Sequence, residues 1–189
     1  MALMMRFEHK LAALCIAASF LFGALGAFAA LSLLPKSQGD AAREFYSTEV
    51  AFSVSPSDYM YELRHGRQTG LVVDLRSAGQ YAENHLITAV NVPAGQMDEK
   101  QVVAAFRNLP GDKPFITYCY SSYCMLSRKV GDILAKNGIY AKHMTAGWYE
   151  IERDFGGYLV NGTGPGVLAV PENETGEACD PQGDGEFGC

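Results

Sequence analysis

The stretch TYCYSSYCMLSR, from Thr117 to Arg128, links a predicted strand to a predicted helix through a short polar loop. The preceding run, Pro114 to Tyr118, is apolar and rich in β-forming side chains, and an amphipathic helix pattern begins just after the loop. Cys119 therefore follows the strand directly and lies under a helix N-terminus. Free backbone N–H groups and the helix dipole at such a place stabilise a thiolate and bind anions. We predict that Cys119 is a nucleophile, the alternative being a buried cysteine at a strand end.

Strand and helix patterns alternate on both sides of this stretch. Five apolar runs predict the strands of a mostly parallel sheet: Ala51–Val54, Leu71–Leu75, Ala89–Val92, Pro114–Tyr118 and Tyr140–Met144. Helical patterns lie between and after them, at Ser55–His65, from a capping box at Ser77, at Asp98–Leu109, from Leu126 to Asn137 and at Trp148–Phe155. This alternation predicts βαβ crossovers, and thus one α/β domain with a parallel sheet flanked by helices.

Length and charge limit the classes of function. The chain has 189 residues, which suits one domain with a proper core once the two ends are set aside. Its formal net charge is −6, and it carries no cluster of lysine and arginine. Proteins that bind nucleic acid normally present a basic stripe, so we predict no nucleic-acid partner.

The N-terminal segment, residues 1–34, contains a run of 24 residues without a charged side chain, from Leu11 to Leu34. This is about the length that crosses the hydrocarbon core of a bilayer. We favour a retained transmembrane anchor over a cleaved signal peptide, although Ala27 to Ala29 resembles a cleavage site. Lysine and arginine are slightly enriched before the run, which predicts a globular domain outside the cytoplasm. The alternative is a secreted or periplasmic protein after signal cleavage.

The remaining chain divides into a linker or short helix at 35–50, a globular domain at 51–161 and an acidic Gly/Pro-rich tail at 162–189. The tail contains Cys179 and Cys189. In an oxidising compartment this pair could close a small loop, and we favour such a disulfide over a metal site because the spacing fits no known zinc or calcium motif. We predict no metal and no cofactor.

Two blocks of the domain together resemble the rhodanese-homology domains, over roughly residues 53–161. The first block, VVDLRSAGQYAENHLITAVNVP from Val72 to Pro93, is similar to the family's series Asp-x-Arg, Glu/Gln-Tyr, His-Ile and Asn-x-Pro. The second is the strand, loop and helix around Cys119. The resemblance implies a five-stranded parallel sheet flanked by helices on both faces. It also implies a sulfurtransferase, in which Cys119 takes a sulfane sulfur from a small donor as a persulfide and passes it to a thiol acceptor, either a small molecule or a protein thiol.

The loop after Cys119 supplies backbone amides and hydroxyls. We expect the amides from Tyr120 to Cys124 to cradle an anionic persulfide. The side chains of Tyr120, Ser121, Ser122 and Tyr123 carry hydroxyls and no cation, which favours a neutral or thiol-borne substrate.

The loop departs from the family at its end. Many active members have an arginine after four loop residues, where this chain has Cys124, and Met125 stands where a phosphatase-like loop has its arginine. Arg128 lies a turn further into the helix. Arginine binds phosphate or arsenate bidentately, so phosphatase and arsenate-reductase functions lose their main support. Cys124 is either a second thiol that resolves a persulfide on Cys119 or a side chain that only packs.

Three residues of the first block are expected near the site in structural roles. Asp74 and Arg76 are predicted to hold the turn from strand to helix, and His85 is more simply a hydrogen-bonded structural histidine than a general base. Two other functions stay open: a thiol–disulfide oxidoreductase that uses Cys119 and Cys124, and a non-catalytic binding module that tethers a partner at the membrane.

Overall fold

The computed structural model describes residues 37–168 and the isolated positions 19, 20, 22, 23 and 26. Except for those five positions, the predicted anchor lies outside the described residues, and so do Cys179 and Cys189. Where the chain is described, no helix has the length and apolar character needed to cross a bilayer. The chain divides into two compact units between Tyr46 and Ser47, and the second contains the α/β domain.

Helices and strands alternate along the domain. The helices are α1 (Gln38–Phe52), α2 (Pro56–Arg64), α3 (Ala78–Glu83), α4 (Glu99–Arg107), α5 (Leu126–Lys136) and α6 (Trp148–Asp154). The strands are β1 (Ser53–Val54), β2 (Leu71–Asp74), β3 (His85–Leu86), β4 (Val90–Asn91), β5 (Phe115–Tyr118), β6 (Ala141–Met144) and β7 (Leu159–Val160). Short 3₁₀ turns cover Ala94–Gln96 and Gly156–Tyr158.

Five strands form a parallel sheet in the order β1-β6-β5-β2-β4. Strand β5 lies at its centre and pairs over its whole length with β2, from Leu71 opposite Phe115 to Asp74 opposite Tyr118. The predicted five-stranded parallel α/β fold is therefore confirmed. Because the strands are parallel, the loop after β5 emerges at the same sheet edge as the loop after β2.

Successive residues of a strand pack into two different hydrophobic clusters. Val72 and Ile116 face a cluster that includes side chains of α2, α3 and α6, whereas Val73 and Phe115 face a cluster with α4 and α5. Successive side chains of a strand point to opposite faces, so this division places helices on both sides of the sheet.

The first strand is shorter than predicted. Helix α1 includes Ala51 and Phe52, which the sequence assigned to a strand, and only Ser53 and Val54 pair with β6. This strand lies at the sheet edge and pairs only with β6. Ala51 and Phe52 have no strand partner, and helix α1 continues through them to the residue before the first paired one. None of the side chains of α1 is buried.

A second, two-stranded antiparallel sheet was not predicted. Strand β7 pairs with β3 through His85 opposite Val160 and Leu86 opposite Leu159. Leu159 and Val160 pack against the core, and so does Leu168, which follows them in the chain. The segment around these residues is rich in glycine, which is not typical of a strand. Two residues are too few for a period-2 pattern, so only their tertiary contacts define the strand.

Candidate active site

Strand β5 ends at Tyr118 and delivers Cys119 to the carboxyl edge of the sheet, where the thiol is buried. The loop that follows is attached to the start of α6 through its backbone. The N–H of Trp148 donates to the carbonyl of Cys119 at 2.7 Å, and the N–H of Tyr149 donates to the carbonyl of Tyr120 at 3.0 Å. The cysteine loop and the N-terminus of α6 are thus one hydrogen-bonded unit.

Gly147 makes this close approach possible. A Cβ atom at Gly147 would lie 2.2 Å from the backbone nitrogen of Ser121. The backbone φ of Gly147 is −106°, which any residue can adopt, so the requirement is for space. The loop could not lie against α6 in the same position if residue 147 had a side chain.

The Cys119 thiol points at two oxygen acceptors. Its Sγ lies 3.5 Å from the carbonyl oxygen of Cys124 and 3.9 Å from the hydroxyl oxygen of Ser127. Burial raises the pKa of Cys119, and its hydrogen bond to the Cys124 side chain raises it further, against an opposing contribution from the backbone N–H of Ser127. Cys119 therefore holds its proton in the resting loop.

The Cys124 thiol has the opposite tendency. Partial burial raises its pKa, but the hydrogen bond from Cys119 and the backbone N–H groups of Leu126, Tyr120 and Ser121 together lower it below its ordinary value. Helix α5 has no side-chain cap at its N-terminus, so its first N–H is free to serve this sulfur. Of the two thiols, Cys124 is therefore the one that loses its proton more readily.

The sequence led us to expect loop amides around the sulfur of Cys119, but the backbone N–H groups of Tyr120, Ser121 and Leu126 lower the pKa of Cys124 instead. The thiol of Cys119 is the more deeply buried of the two, and its pKa is raised. A pattern of residue types cannot tell which of two neighbouring thiols is more deeply buried, and burial decides the difference.

Iodoacetamide at neutral pH is therefore expected to label Cys124 before Cys119, by up to about tenfold for each unit between their pKa values. Lowering the pH should slow the labelling of Cys124, because its thiolate becomes protonated. Timed quenching followed by peptide mass spectrometry measures both rates. Faster labelling of Cys119 would contradict this order of the two pKa values.

Of the other predicted residues in and near the loop, some hold it in place through hydrogen bonds and one is exposed to solvent. The Tyr120 hydroxyl donates to Oε1 of Gln80 at 3.0 Å, which connects the loop to α3. Tyr123 is 91% exposed. The guanidinium of Arg128 donates to the carbonyl of Ser122 at 3.4 Å, so it contacts the loop backbone.

Glu150 is a site residue that the sequence analysis missed. Its carboxylate accepts hydrogen bonds from the N–H and hydroxyl of Ser122 and from the N–H of Gly147, at 3.0–3.3 Å. Slight burial raises the pKa of Glu150, but these donors outweigh burial and lower it. A signal was present in the sequence, because a glutamate three residues after a helix N-cap is typical of a capping box.

Asp74 and Arg76 form a buried ion pair behind the loop. The guanidinium donates to both carboxylate oxygens at 2.7–3.1 Å, and the Tyr118 hydroxyl donates to Oδ2 of Asp74 at 2.6 Å. Arg76 also donates to the carbonyl of Asn84 at 2.7 Å, and its Cζ lies 3.8 Å from the ring centre of Trp148. The pair therefore joins β2 and β5 to the helix that holds the cysteine loop.

His85 is fully buried and both of its ring nitrogens are occupied. Nδ1 lies 2.8 Å from the carbonyl oxygen of Tyr81, and Nε2 lies 3.1 Å from the carbonyl oxygen of Gly164. The ring also stacks on Tyr81 with centres 3.7 Å apart. Since neither nitrogen faces the cysteines, the contacts of His85 are structural.

A groove of about 530 Å³ runs along α5 and β6 and ends at Ser127. Neither cysteine lines it. Within the described part of the chain, no group of three or more His, Cys, Asp or Glu side chains is arranged to hold a metal ion. The candidate site is therefore the dithiol loop itself.

Comparison with known proteins agrees with this geometry. The family model for the rhodanese-like domain matches residues 57–154. Among solved structures, the BH2092 protein from Bacillus halodurans is 25% identical with a TM-score of 0.55, and the match covers 72% of this chain and 96% of that one. A full-length protein from Lactobacillus plantarum has the same fold at 14% identity and a TM-score of 0.52, with 66% and 99% covered.

Two curated proteins are similar over about half of the chain. One, from Gracilaria tenuistipitata var. liui, is described as a probable molybdopterin-synthase adenylyltransferase and is 23% identical over 95 residues, 50% of this chain and 27% of that protein. The other is the HTH-type transcriptional regulator Rv0324 from Mycobacterium tuberculosis, 28% identical over 100 residues, 51% of this chain and 42% of that protein. The chain thus spans less than half of either relative. The match of the family model over more than half of its length shows that the chain belongs to the rhodanese-like domain family.

Proposed function

We propose that this protein is a sulfurtransferase that moves sulfane sulfur through a persulfide on Cys119, with Cys124 as its partner thiol. One observation carries the proposal: Cys119 lies at the carboxyl edge of the central strand, at the first turn of α5, with its Sγ 3.5 Å from the carbonyl oxygen of Cys124, whose own thiol has a lowered pKa. Membership of the rhodanese-like family supports the same chemistry.

Loading begins with a proton transfer between the two thiols. The Cys119 thiol gives its proton to the Cys124 thiolate while the Cys119 sulfur bonds to the outer sulfur of a donor persulfide, R–S–SH. The S–S bond of the donor breaks, and its electron pair leaves with RS⁻. Cys119 then carries a persulfide and Cys124 is neutral, so the charge of −1 is conserved.

Unloading reverses this proton transfer. An acceptor thiolate, R′S⁻, attacks the outer sulfur of the Cys119 persulfide and leaves as R′–S–SH. The electron pair of the broken bond returns to Cys119, which takes back the proton from Cys124. Because the proton of Cys119 moves to Cys124 and back, Cys124 acts as the base in loading and as the acid in unloading.

The substrates are expected to carry their sulfur on a thiol. The loop offers hydroxyls and amides, and Cys124 and Met125 occupy the two positions where related loops have an arginine. The exposed Tyr123 beside Cys124 would allow a protein thiol to approach as well as a small one. We also propose that the domain acts outside the cytoplasm on an N-terminal anchor, supported by the uncharged run from Leu11 to Leu34. Membrane fractionation with protease protection tests this location.

Incubation of the purified protein with cysteine persulfide is expected to add about 32 Da, the mass of one sulfur atom, to the peptide that contains Cys119. Cys119→Ser should abolish this adduct. Cys124→Ser should retain it but form it more slowly at neutral pH, because Cys119 has lost the thiolate that takes its proton. Intact-protein and peptide mass spectrometry measure the adduct. Its absence from the unchanged protein would refute sulfur transfer.

A thiol–disulfide oxidoreductase is the second candidate, favoured by the contact between the two free thiols. The Cys124 thiolate would displace RS⁻ from a disulfide R–S–S–R, and deprotonated Cys119 would then displace the second RS⁻ and close a Cys119–Cys124 disulfide. The substrate is reduced, the loop is oxidised, and a dithiol reductant must restore it. A redox titration that finds both thiols permanently reduced would exclude this function.

A further inference from the structure

A carboxylate occupies loop amides that could otherwise bind an anionic substrate. Oε1 and Oε2 of Glu150 lie 3.3 and 3.2 Å from the backbone nitrogen of Ser122, and Oε1 lies 3.0 Å from its hydroxyl oxygen. Oε2 also accepts from the N–H of Gly147 at 3.0 Å. These donors lower the pKa of Glu150, so the carboxylate is charged at neutral pH.

The loop itself contains no basic residue. Cys124 and Met125 stand at the two positions where related loops have an arginine, and Arg128, which follows the loop, is exposed and directs its guanidinium to the carbonyl of Ser122. Arg153 interacts with Glu150 but is exposed and forms its ion pair with Asp154. An oxyanion would therefore meet the like charge of Glu150, which already holds the Ser122 amide.

We propose that Glu150 is a specificity-determining residue that excludes small oxyanion sulfur donors, of which thiosulfate is the type, and leaves the loop to sulfur carried on thiols. The inference rests on the proposed function and names its substrate class. Glu150 acts through charge and by occupying donors, without contact with the reacting sulfur.

A purely structural role predicts a different result. As a cap of α6, Glu150 needs only one acceptor oxygen for the N–H of Gly147, and Glu150→Gln keeps one such oxygen. The same substitution removes the charge and gives up the second acceptor oxygen that faces Ser122. Glu152 lies on the same helix, is exposed and accepts a hydrogen bond from the side chain of Asn84 at 3.4 Å. Glu152→Gln is therefore a matched control that removes the same charge two residues away.

The test combines binding and turnover in the full chain and its two variants. Amide NMR of Ser122 and Gly147 during titration with sodium sulfate measures oxyanion binding without any reaction. Sulfur loading of Cys119 from thiosulfate and from cysteine persulfide gives the selectivity ratio.

Glu150→Gln is expected to bind sulfate about tenfold more tightly and to raise the thiosulfate-to-persulfide ratio by a similar factor, while Glu152→Gln leaves both unchanged. Equal sulfate affinity in Glu150→Gln and Glu152→Gln would overturn the inference, whether or not the protein transfers sulfur. If Glu150→Gln binds sulfate more tightly but Cys119 is loaded from no donor, the proposed function is refuted, and Glu150 remains a residue that excludes anions from the loop.

Discussion

Replacing Gly147 with alanine is expected to reduce sulfur loading of Cys119 at least about a hundredfold, because displacement of a reacting group by about 1 Å can cost that much. The new Cβ would fall 2.2 Å from the backbone nitrogen of Ser121, so the loop must move. The hydrogen bonds that attach it to α6 would be lost or lengthened. Mass-spectrometric loading rates and a urea denaturation curve measure the two consequences, with an expected loss of about 1–3 kcal/mol in the free energy of unfolding.

Gly79→Ala is the matched control for this prediction. Gly79 is exposed in α3, and a Cβ there meets no atom within 4 Å. The same substitution should leave loading unchanged and stabilise the protein by about 0.5–1 kcal/mol, because alanine is the better helix former. Normal loading in Gly147→Ala would show that the loop does not depend on its close approach to α6.

Replacing Arg76 with methionine is expected to lower the free energy of unfolding by about 3–5 kcal/mol, the usual cost of breaking a buried ion pair on one side. Asp74 is fully buried, and its carboxylate would keep only the Tyr118 hydroxyl and the backbone N–H of residue 76 as donors. The cation–π contact between Arg76 and the ring of Trp148 would also be lost. Urea denaturation should show a lower midpoint with an unchanged slope.

Arg153→Met removes an arginine from an exposed ion pair with Asp154 and is expected to leave the urea midpoint unchanged. The double variant Asp74→Asn with Arg76→Met should lose less stability than the sum of the two single variants, because it leaves no buried charge unpaired. Strict additivity would mean that the two side chains do not stabilise each other.

The architecture could be predicted from the sequence because the central strands of a parallel sheet appear as continuous apolar runs. The runs at Leu71–Leu75 and Pro114–Tyr118 are apolar throughout, as strands covered on both faces must be, and they are the best-paired strands of the sheet. The helix that begins near Leu126 was predictable from its apolar stripe and its closing Asn137-Gly138. Cys119 was placed correctly at a strand end because strand, loop and helix follow one another without a gap.

Contacts between distant segments were not predictable in the same way. Strand β7 contains two residues and is defined by its pairing with the distant strand β3, in which Leu159 lies opposite Leu86. The lower pKa of Cys124 depends on depth and on which amides face each sulfur. Glu150 was visible as a helix cap, but its contact with Ser122 depends on how α6 meets the loop.

The sheet order also determines when the site can exist during folding. Strand β6 lies between β5 and β1, so β1 remains without a partner until the chain has been made through Met144. The cysteine loop is fixed later still, by α6. Such non-local pairings are slow to form, so both thiols remain reactive in the nascent chain after their own strand is complete. Protection of Cys119 from a thiol reagent during refolding should therefore appear after the pairing of β5 with β2.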